Sequence, residues 1–377
     1  MRTPGLDPVK LSVRVITYNH APFIRQALDS VLAQRADFPY EIVIGEDCST
    51  DGTREIVVEY QRRHPERIRL ILSDRNLGGR HNFVRTLQAC RGEYIALLDG
   101  DDYWTSEDKL QRQVDFLERH PGYVICFHDA LVVHEDRSRP PERFTGPDLP
   151  STPSFQSLLD DCFLPTCGVV IRDSIRQFPD WFWLGAVGDW PLHILNARRG
   201  RVGYLNEVMG VYRIHKGGMT RNFVPEDYFT RSATMLHHLV GALGDRYEPV
   251  LRNSASQIWL NAFFHEDGLE ALRKGEGASL GDALRRWPAE FPLTRRDRGA
   301  LLGAACGRLM LASLRAGDRT RAGVWLMRAV RHDPRWLRRG AFWSVAAETC
   351  LGRTVAANTR RCARWLGAGT AKSEGVR

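Results

Sequence analysis

The first 130 residues alternate short apolar runs with stretches of helical periodicity, and this restricts the chain to a few folds. Runs at 9–18, 41–46, 68–72, 93–98 and 123–128 read as strands. Between them, residues 23–34, 54–64, 82–90 and 109–119 place apolar side chains at the spacing of amphipathic helices. Strand, helix and strand in succession build βαβ units, whose crossover helices cover a parallel sheet. The expectation is an α/β fold with a mainly parallel, Rossmann-like sheet flanked by helices. Pro65 and Pro121 each follow a His at a helix end, where proline stops the helix.

Open sheets of this kind bind ligands beyond the carboxyl ends of their strands. The fourth run is the most informative there: Glu93-Tyr94-Ile95-Ala96-Leu97-Leu98-Asp99-Gly100-Asp101-Asp102. Like charges so close are costly unless a cation sits among them, and Mg²⁺ or Mn²⁺ with phosphate oxygens suits such hard ligands. A solvated acidic turn is the plain alternative. The first tip, Ile16-Thr17-Tyr18-Asn19-His20-Ala21-Pro22, has no glycine, which argues against a dinucleotide fingerprint and a P-loop. The second, Gly45-Glu46-Asp47-Cys48-Ser49-Thr50-Asp51-Gly52-Thr53, suits both a helix cap and a polar ligand. Asp51 and Thr53 fit the cap, whereas Asp47 lies where a ligand crevice should be. At the third tip, Asp74-Arg75-Asn76-Leu77-Gly78-Gly79, an Arg can pair with phosphate or stack on a base.

In order and spacing these four tips resemble the family 2 glycosyltransferases of the GT-A fold, from residue 10 to about 220. The resemblance implies a nucleotide-sugar donor (a UDP-sugar favoured), Mn²⁺ or Mg²⁺, and inversion at the anomeric carbon. It implies that Thr17, Tyr18 and Asn19 line the nucleoside pocket and that Asp47 contacts the base. Arg75 would meet base or phosphate, and Gly100 would lie against the donor. Asp99 would bind ribose or metal, and Asp101 the metal. The base that deprotonates the acceptor maps to Asp189, although Gly188 stands where a Glu is usual; an N-cap role for Asp189 is the alternative. Glu46 likewise replaces the usual Asp. Tyr212-Arg213-Ile214-His215 resembles an element that brings a His, here His215, to metal or diphosphate. Arg364-Trp365 lacks the Gln that processive members place before this pair, so a polymerising synthase is not expected. The acceptor expected is a saccharide or lipid-linked hydroxyl in cell-surface polysaccharide or glycoconjugate synthesis. Two other classes compete. A sugar nucleotidyltransferase would need a glycine-rich first loop, and a non-catalytic nucleotide-sugar or carbohydrate-binding module would not need Asp189. Trp104, Trp181, Trp183 and Trp190 could stack on sugar or fill the core.

Beyond about residue 226 the pattern turns helical, so 1–225 is expected to be the catalytic domain and 226–377 a helical region. Residues 301–334 resemble one helix pair of a tetratricopeptide repeat. Residues 301–377 hold 15 Lys/Arg against 4 Asp/Glu, an excess of +11, so a net charge of +8 leaves −3 for residues 1–300. With Trp325, Trp336, Phe342, Trp343 and Trp365, that basic region suits peripheral contact with an anionic membrane rather than nucleic acid, or a solvated helical bundle. No apolar run reaches the ~18–20 residues of a membrane span, and the N-terminus lacks a signal-peptide core. The expected location is cytoplasmic, at most peripheral to the membrane. The eight cysteines are scattered without a C-x-x-C pair and read as reduced thiols.

Overall fold

The computed structural model describes residues 9–338 except 147, 173, 174, 176, 220–223, 265–279 and 290. Four parallel strands form one half of a nine-stranded sheet: β1 (Leu11–Thr17), β2 (Tyr40–Glu46), β3 (Ile68–Leu72) and β4 (Tyr94–Asp99), ordered β3-β2-β1-β4. Helices α1 (Ile24–Leu32), α2 (Thr53–Arg63) and α3 (Gly79–Ala89) connect them. On α1 the buried residues are Ile24, Ala27, Leu28 and Val31, one face of a helix. Leu11, Val13 and Val15 of β1 are fully buried, each worth about 1.5–3 kcal/mol of apolar transfer.

The other half is not parallel throughout. After β4 come β5 (Tyr103–Trp104), α4 (Lys109–Arg119), β6 (Tyr123–His134), β7 (Glu142–Arg143), α5 (Phe155–Asp160), β8 (Val169–Arg172), α6 (Asp189–Ala197) and β9 (Arg201–Ile214). The order continues β4-β8-β6-β9-β5, with β7 on β6. β8 runs antiparallel to both β4 and β6, while β6 and β9 are parallel. The expected α/β sheet flanked by helices is present, its β1–β4 half parallel and its other half mixed. The reversal has a structural consequence: the start of β8 lies at the same edge as the ends of β4 and β9. Gln113 of α4 fixes this arrangement by donating to Cys126 O of β6 and to Gly168 O before β8, both at 2.8 Å.

The chain divides into two compact units, Met1–Val224 with His238–Ser254, and Pro225–His237 with Ala255–Arg377. The remaining helices are α7 (Pro225–Leu243), α8 (Glu248–Phe263), α9 (Leu280–Arg285), α10 (Arg295–Arg315) and α11 (Arg319–His332). α10 and α11 form a hairpin over the interval read as a repeat-like pair. Its close packing comes from Gly299, Gly303 and Gly307, spaced four apart on α10. A Cβ on Gly299 would lie 2.7 Å from His332 O, and one on Gly307 would lie 2.3 Å from Trp336. Trp325 and Trp336 pack beside Met310, Ala322 and Leu326 instead of standing free. Phe342, Trp343, Arg364 and Trp365 lie outside the described residues. No helix among the described residues is long and apolar enough to cross a membrane. Cys48, Cys126, Cys162, Cys167 and Cys306 are free thiols, and Cys90 Sγ donates to Thr86 O.

Candidate active site

Thr17, Glu46 and Asp99 end neighbouring parallel strands, so the loops after them gather at one edge of the sheet. Those loops are stitched together by short polar side chains. Asn19 holds a left-handed backbone (φ 55°), donates its N–H to Ser49 Oγ and accepts at Oδ1 from Thr50 N. His20 N donates to Thr53 Oγ1, and Ala21 N to Asp51 Oδ2. Asp51 and Thr53, expected as helix caps, instead tie the first loop to the second; the N-cap of α2 is Gly52, with no side-chain cap bond. Gly100 must be small, because a Cβ there would meet Thr17 Oγ1 at 2.8 Å. Tyr18 projects outward, 40% exposed.

The three carboxylates after β4 have three separate environments. Asp99 Oδ1 pairs with Arg14 Nη2 at 3.3 Å. Arg14 is a fully buried cation in the middle of β1, with its guanidinium over the Phe83 ring at 4.3 Å. Burial pushes the Asp99 carboxyl up to about 7; Arg14 opposes that, while Asp101 and Asp189 add like charge. Asp102 is 1% exposed and accepts from Arg213 N at 2.8 Å, and burial raises its carboxyl well above the usual range. It anchors the turn to β9. Arg213 helps by donating to Asp101 O at 2.7 Å while pairing with Glu135.

Asp101 faces two imidazoles. His215 Nε2 is 3.1 Å from its Oδ2 and His20 Nε2 is 3.6 Å away. One ligand atom from each of the three residues lies within 4.8 Å of the others. Burial pushes the Asp101 carboxyl up, but His20 and the His215 hydrogen bond outweigh it and hold the group below the ordinary carboxylate range. His215 follows β9, whose parallel course brings it to this edge. Its ring rests on Phe23, with centroids 4.5 Å apart. The cluster contains Asp101 and His215 of the expected metal ligands; Asp99 is drawn to Arg14 instead. His20, quoted in the first motif but not read as a ligand, takes its place.

Asp47 is also used differently from the sequence expectation. It is 1% exposed, and its two oxygens accept from Leu77 N and Gly78 N, both at 2.9 Å. A carboxylate spent in this way holds the third loop in place. Arg75 on that loop is exposed, with no side-chain hydrogen bond or ion pair to the described residues. Glu46 is equally committed, accepting from Ser49 N and pairing with Arg54.

Asp189 is the first helical residue of α6, and Gly188 before it makes no side-chain cap. Its Oδ2 accepts from Thr166 Oγ1 at 2.9 Å and its Oδ1 from Trp190 N at 2.7 Å. Thr166 precedes β8 and reaches the site only because that strand is antiparallel. Gly188 has a local reason: a Cβ there would sit 3.3 Å from the Phe83 ring that covers Arg14. Arg80 donates to Trp183 O and Gly185 O, fixing the segment that leads to Asp189. Of the four tryptophans, Trp104, Trp181 and Trp190 are buried. Only Trp183 is half-open, its ring 5.2 Å from that of His81.

A mixed α/β sheet with a carboxylate–imidazole cluster at its ligand edge fits the family resemblance carried by the four strand tips. Comparison with known proteins agrees. Residues 12–176 match the model for Glycosyl transferase family 2. The proposed teichuronic acid biosynthesis glycosyltransferase TuaG of Bacillus subtilis is 37% identical over 216 residues, covering 56% of this chain and 82% of TuaG. The chain belongs to glycosyltransferase family 2. An uncharacterized protein of Mycobacterium tuberculosis is 42% identical over 212 residues, spanning 55% of this chain and 60% of that relative's length. Among solved structures, Staphylococcus aureus TarS 1–349 with UDP-GlcNAc superposes with a TM-score of 0.56 at 18% identity, covering 86% of this chain and 92% of TarS 1–349. That likeness is one of fold.

Proposed function

We propose that the chain transfers a sugar from a nucleotide-diphosphate donor to an acceptor hydroxyl by a single inverting displacement. The observation that carries this reading is Asp101, placed between two imidazoles at the tip of β4 and at the same sheet edge as Asp189. The donor we favour is a UDP-sugar. TarS, a poly(ribitol-phosphate) β-N-acetylglucosaminyltransferase 32% identical over 120 residues and solved with UDP-GlcNAc, supports that choice. Tyr18 offers its exposed ring to the nucleoside, and Arg75 its free guanidinium to base or phosphate. Thr17 and Gly100 shape the floor beneath the donor.

Asp189 takes the proton of the acceptor hydroxyl as that oxygen bonds to the anomeric carbon and the bond to the diphosphate breaks. Thr166 holds one carboxylate oxygen and Trp190 N the other, so the base is oriented before the acceptor arrives. Asp101 and His215 suit a divalent cation, Mn²⁺ or Mg²⁺; when bound, such an ion would neutralise charge on the leaving diphosphate. Arg14 keeps Asp99 close to that charge without letting it join the cluster. The acceptor we favour is a saccharide or lipid-linked hydroxyl in cell-surface polysaccharide synthesis, in keeping with TuaG and TarS. We place the arginine-rich hairpin α10–α11 against an anionic membrane carrying such acceptors.

The test is a panel of UDP-, GDP- and dTDP-sugars scored for thermal stabilisation and donor hydrolysis, with Mn²⁺, with Mg²⁺ and in EDTA. The expected result is stabilisation and slow hydrolysis of a UDP-sugar with cation and neither in EDTA. Binding without hydrolysis or transfer to any offered acceptor would favour the binding-module alternative. A wild-type rate in EDTA would end the metal assignment.

A further inference from the structure

We propose that His20, from the first βα turn, is a third metal ligand beside Asp101 and His215, so that two imidazoles and one carboxylate make a site preferring Mn²⁺, Co²⁺ or Zn²⁺ to Mg²⁺. This rests on the metal reading of Asp101 given above. It goes beyond that reading in the ligand set, the preferred ion and the loop that the ion would tie down.

The geometry is the first ground. His20 Nε2 lies 3.6 Å from Asp101 Oδ2, past hydrogen-bonding range. Two ligands at adjacent positions on an ion with ~2.1 Å bonds are separated by roughly 3–3.5 Å. The His215 Nε2 to Asp101 Oδ2 distance of 3.1 Å falls inside that interval, and the His20 distance stands about 0.1 Å beyond it. The two imidazoles meet edge to face, with centroids 6.0 Å apart, so both rings can aim a nitrogen at one point without stacking.

The second ground is what His20 lacks. Its Nδ1 is buried without a hydrogen-bond partner among the described residues. Its Nε2, 3.6 Å from Asp101 Oδ2, is past hydrogen-bonding range as well, so this part-buried imidazole lacks a good polar contact at both nitrogens; coordination would supply one at Nε2 and leave Nδ1 as it is. The third ground is the withdrawal of Asp99 into its pair with Arg14. One carboxylate remains where a Mg²⁺ site would commonly use several oxygens, and imidazole nitrogen shifts preference toward borderline cations.

The position of His20 gives the site a mechanical consequence. Its N–H is held by Thr53 Oγ1, and the preceding Asn19 is tied to Ser49 and Thr50. An ion bound by His20 would therefore tie the β1–α1 loop, which carries Tyr18, to the tip of β4. Donor pocket and cation would tighten together.

The experiment is direct titration of the full chain with Mn²⁺, Co²⁺ and Mg²⁺, without nucleotide, by calorimetry and by Mn²⁺ electron paramagnetic resonance. Wild type, His20→Ala, His20→Asn and Asp101→Ala are compared, each first shown to fold by circular dichroism in EDTA. The expected result is Mn²⁺ binding weakened at least ~10-fold in His20→Ala, since even outer-shell partners of a metal carry that much affinity. Wild type should bind Mn²⁺ more tightly than Mg²⁺, and His20→Asn, which offers an amide oxygen, should narrow that gap. Mn²⁺ should also slow amide exchange over residues 18–21 in wild type and not in His20→Ala. Mn²⁺ affinity within about twofold of wild type in both His20 variants, with binding lost in Asp101→Ala, would overturn the His20 assignment alone. Unchanged Mn²⁺ binding in Asp101→Ala would remove the metal reading and this proposal together. Should His20→Ala fail to fold, His20→Asn decides by the preference: an Mn²⁺-over-Mg²⁺ gap unchanged from wild type would overturn the His20 assignment.

Discussion

The sheet unit and the helical hairpin solve opposite packing problems. In the sheet unit the chain buries charge: Arg14, Glu46, Asp47, Asp102 and Lys109 are all nearly inaccessible. Glu46, Asp47 and Asp102 accept from backbone N–H groups, and the loops they hold are those that would meet a donor. In the α10–α11 hairpin the buried layer is Leu, Ala, Met and Cys around a glycine stripe, and Arg315, Arg319, Arg321, Arg328 and Arg331 face outward. Buried polar groups cost free energy unless satisfied, so they persist where they position something. The hairpin needs only close contact, which small residues give without polar bonds. This contrast underlies the proposal that chemistry belongs to the sheet edge and association to the hairpin.

The strongest way to break this contrast is at Asp189. Asp189→Asn keeps the volume but cannot take a proton, and transfer should fall at least ~10²-fold while donor binding with cation is retained. Loss of donor binding together with the fold would make Asp189 a helix-end residue instead. Thr166→Val tests the support beneath it. It should lower kcat about 10-fold with little change in donor KM, because the base is misaimed rather than removed. Thr166→Ser should restore the rate, which a merely structural role for the methyl group would not allow.

The hairpin is broken by size instead of charge. Gly307→Leu drives a side chain into Trp336, whose ring lies 2.3 Å from where a Cβ would stand. Such overpacking should cost about 1–3 kcal/mol in thermal or urea unfolding. Donor binding at the sheet edge should hold; its loss would show that the two regions are not independent.

A pH-dependent effect is expected at Lys109, a fully buried ammonium 3.8 Å from the Trp104 ring centroid and without a hydrogen bond among the described residues. Burial pushes its pKa down from 10.5 to about 7. Between those values the unfolded chain holds a proton that the folded chain has released. Stability should therefore rise with pH from about 7 towards 10.5, and Lys109→Met should flatten that rise. Urea titrations at pH 7, 8 and 9 on both proteins measure it; an equal slope in the variant would place the titration elsewhere.

The smallest effect concerns the membrane. Val324 and Met327 are 48% and 68% exposed on α11, near the exposed Arg321, Arg328 and Arg331. Replacing those three arginines by Glu should reduce co-sedimentation with anionic vesicles at low salt, each Arg contributing about 1 kcal/mol at most. Equal recovery of both proteins on anionic and neutral vesicles would leave the hairpin as a structural or protein-binding element.

Much of this molecule was legible in the order of its residues. Periodicity located β1 to β4 and their helices, because alternation of apolar and polar side chains is a local property that burial merely reads out. The carboxylates after Leu98 marked the ligand edge for the same reason: a strand tip is local, and so is the repulsion of neighbouring charges. Arg14 was a signal passed over, a lone cation in a strand expected to be buried on both faces. What local pattern could not supply was partnership. Asp99, Asp101 and Asp102 are nearly indistinguishable in sequence, yet Arg14, the pair His20 and His215, and the backbone of Arg213 divide them into three environments. Thr166 reaches Asp189 only because β8 runs against its neighbours, and no periodicity records a strand's direction. Gly188, an apparent defect in a motif, is explained by a phenylalanine on another helix. Sequence by itself determined which segments are strands and helices and where charge collects. Tertiary structure alone decided which charges meet, because that depends on atoms up to 114 residues apart in the chain brought within 3.1 Å of each other.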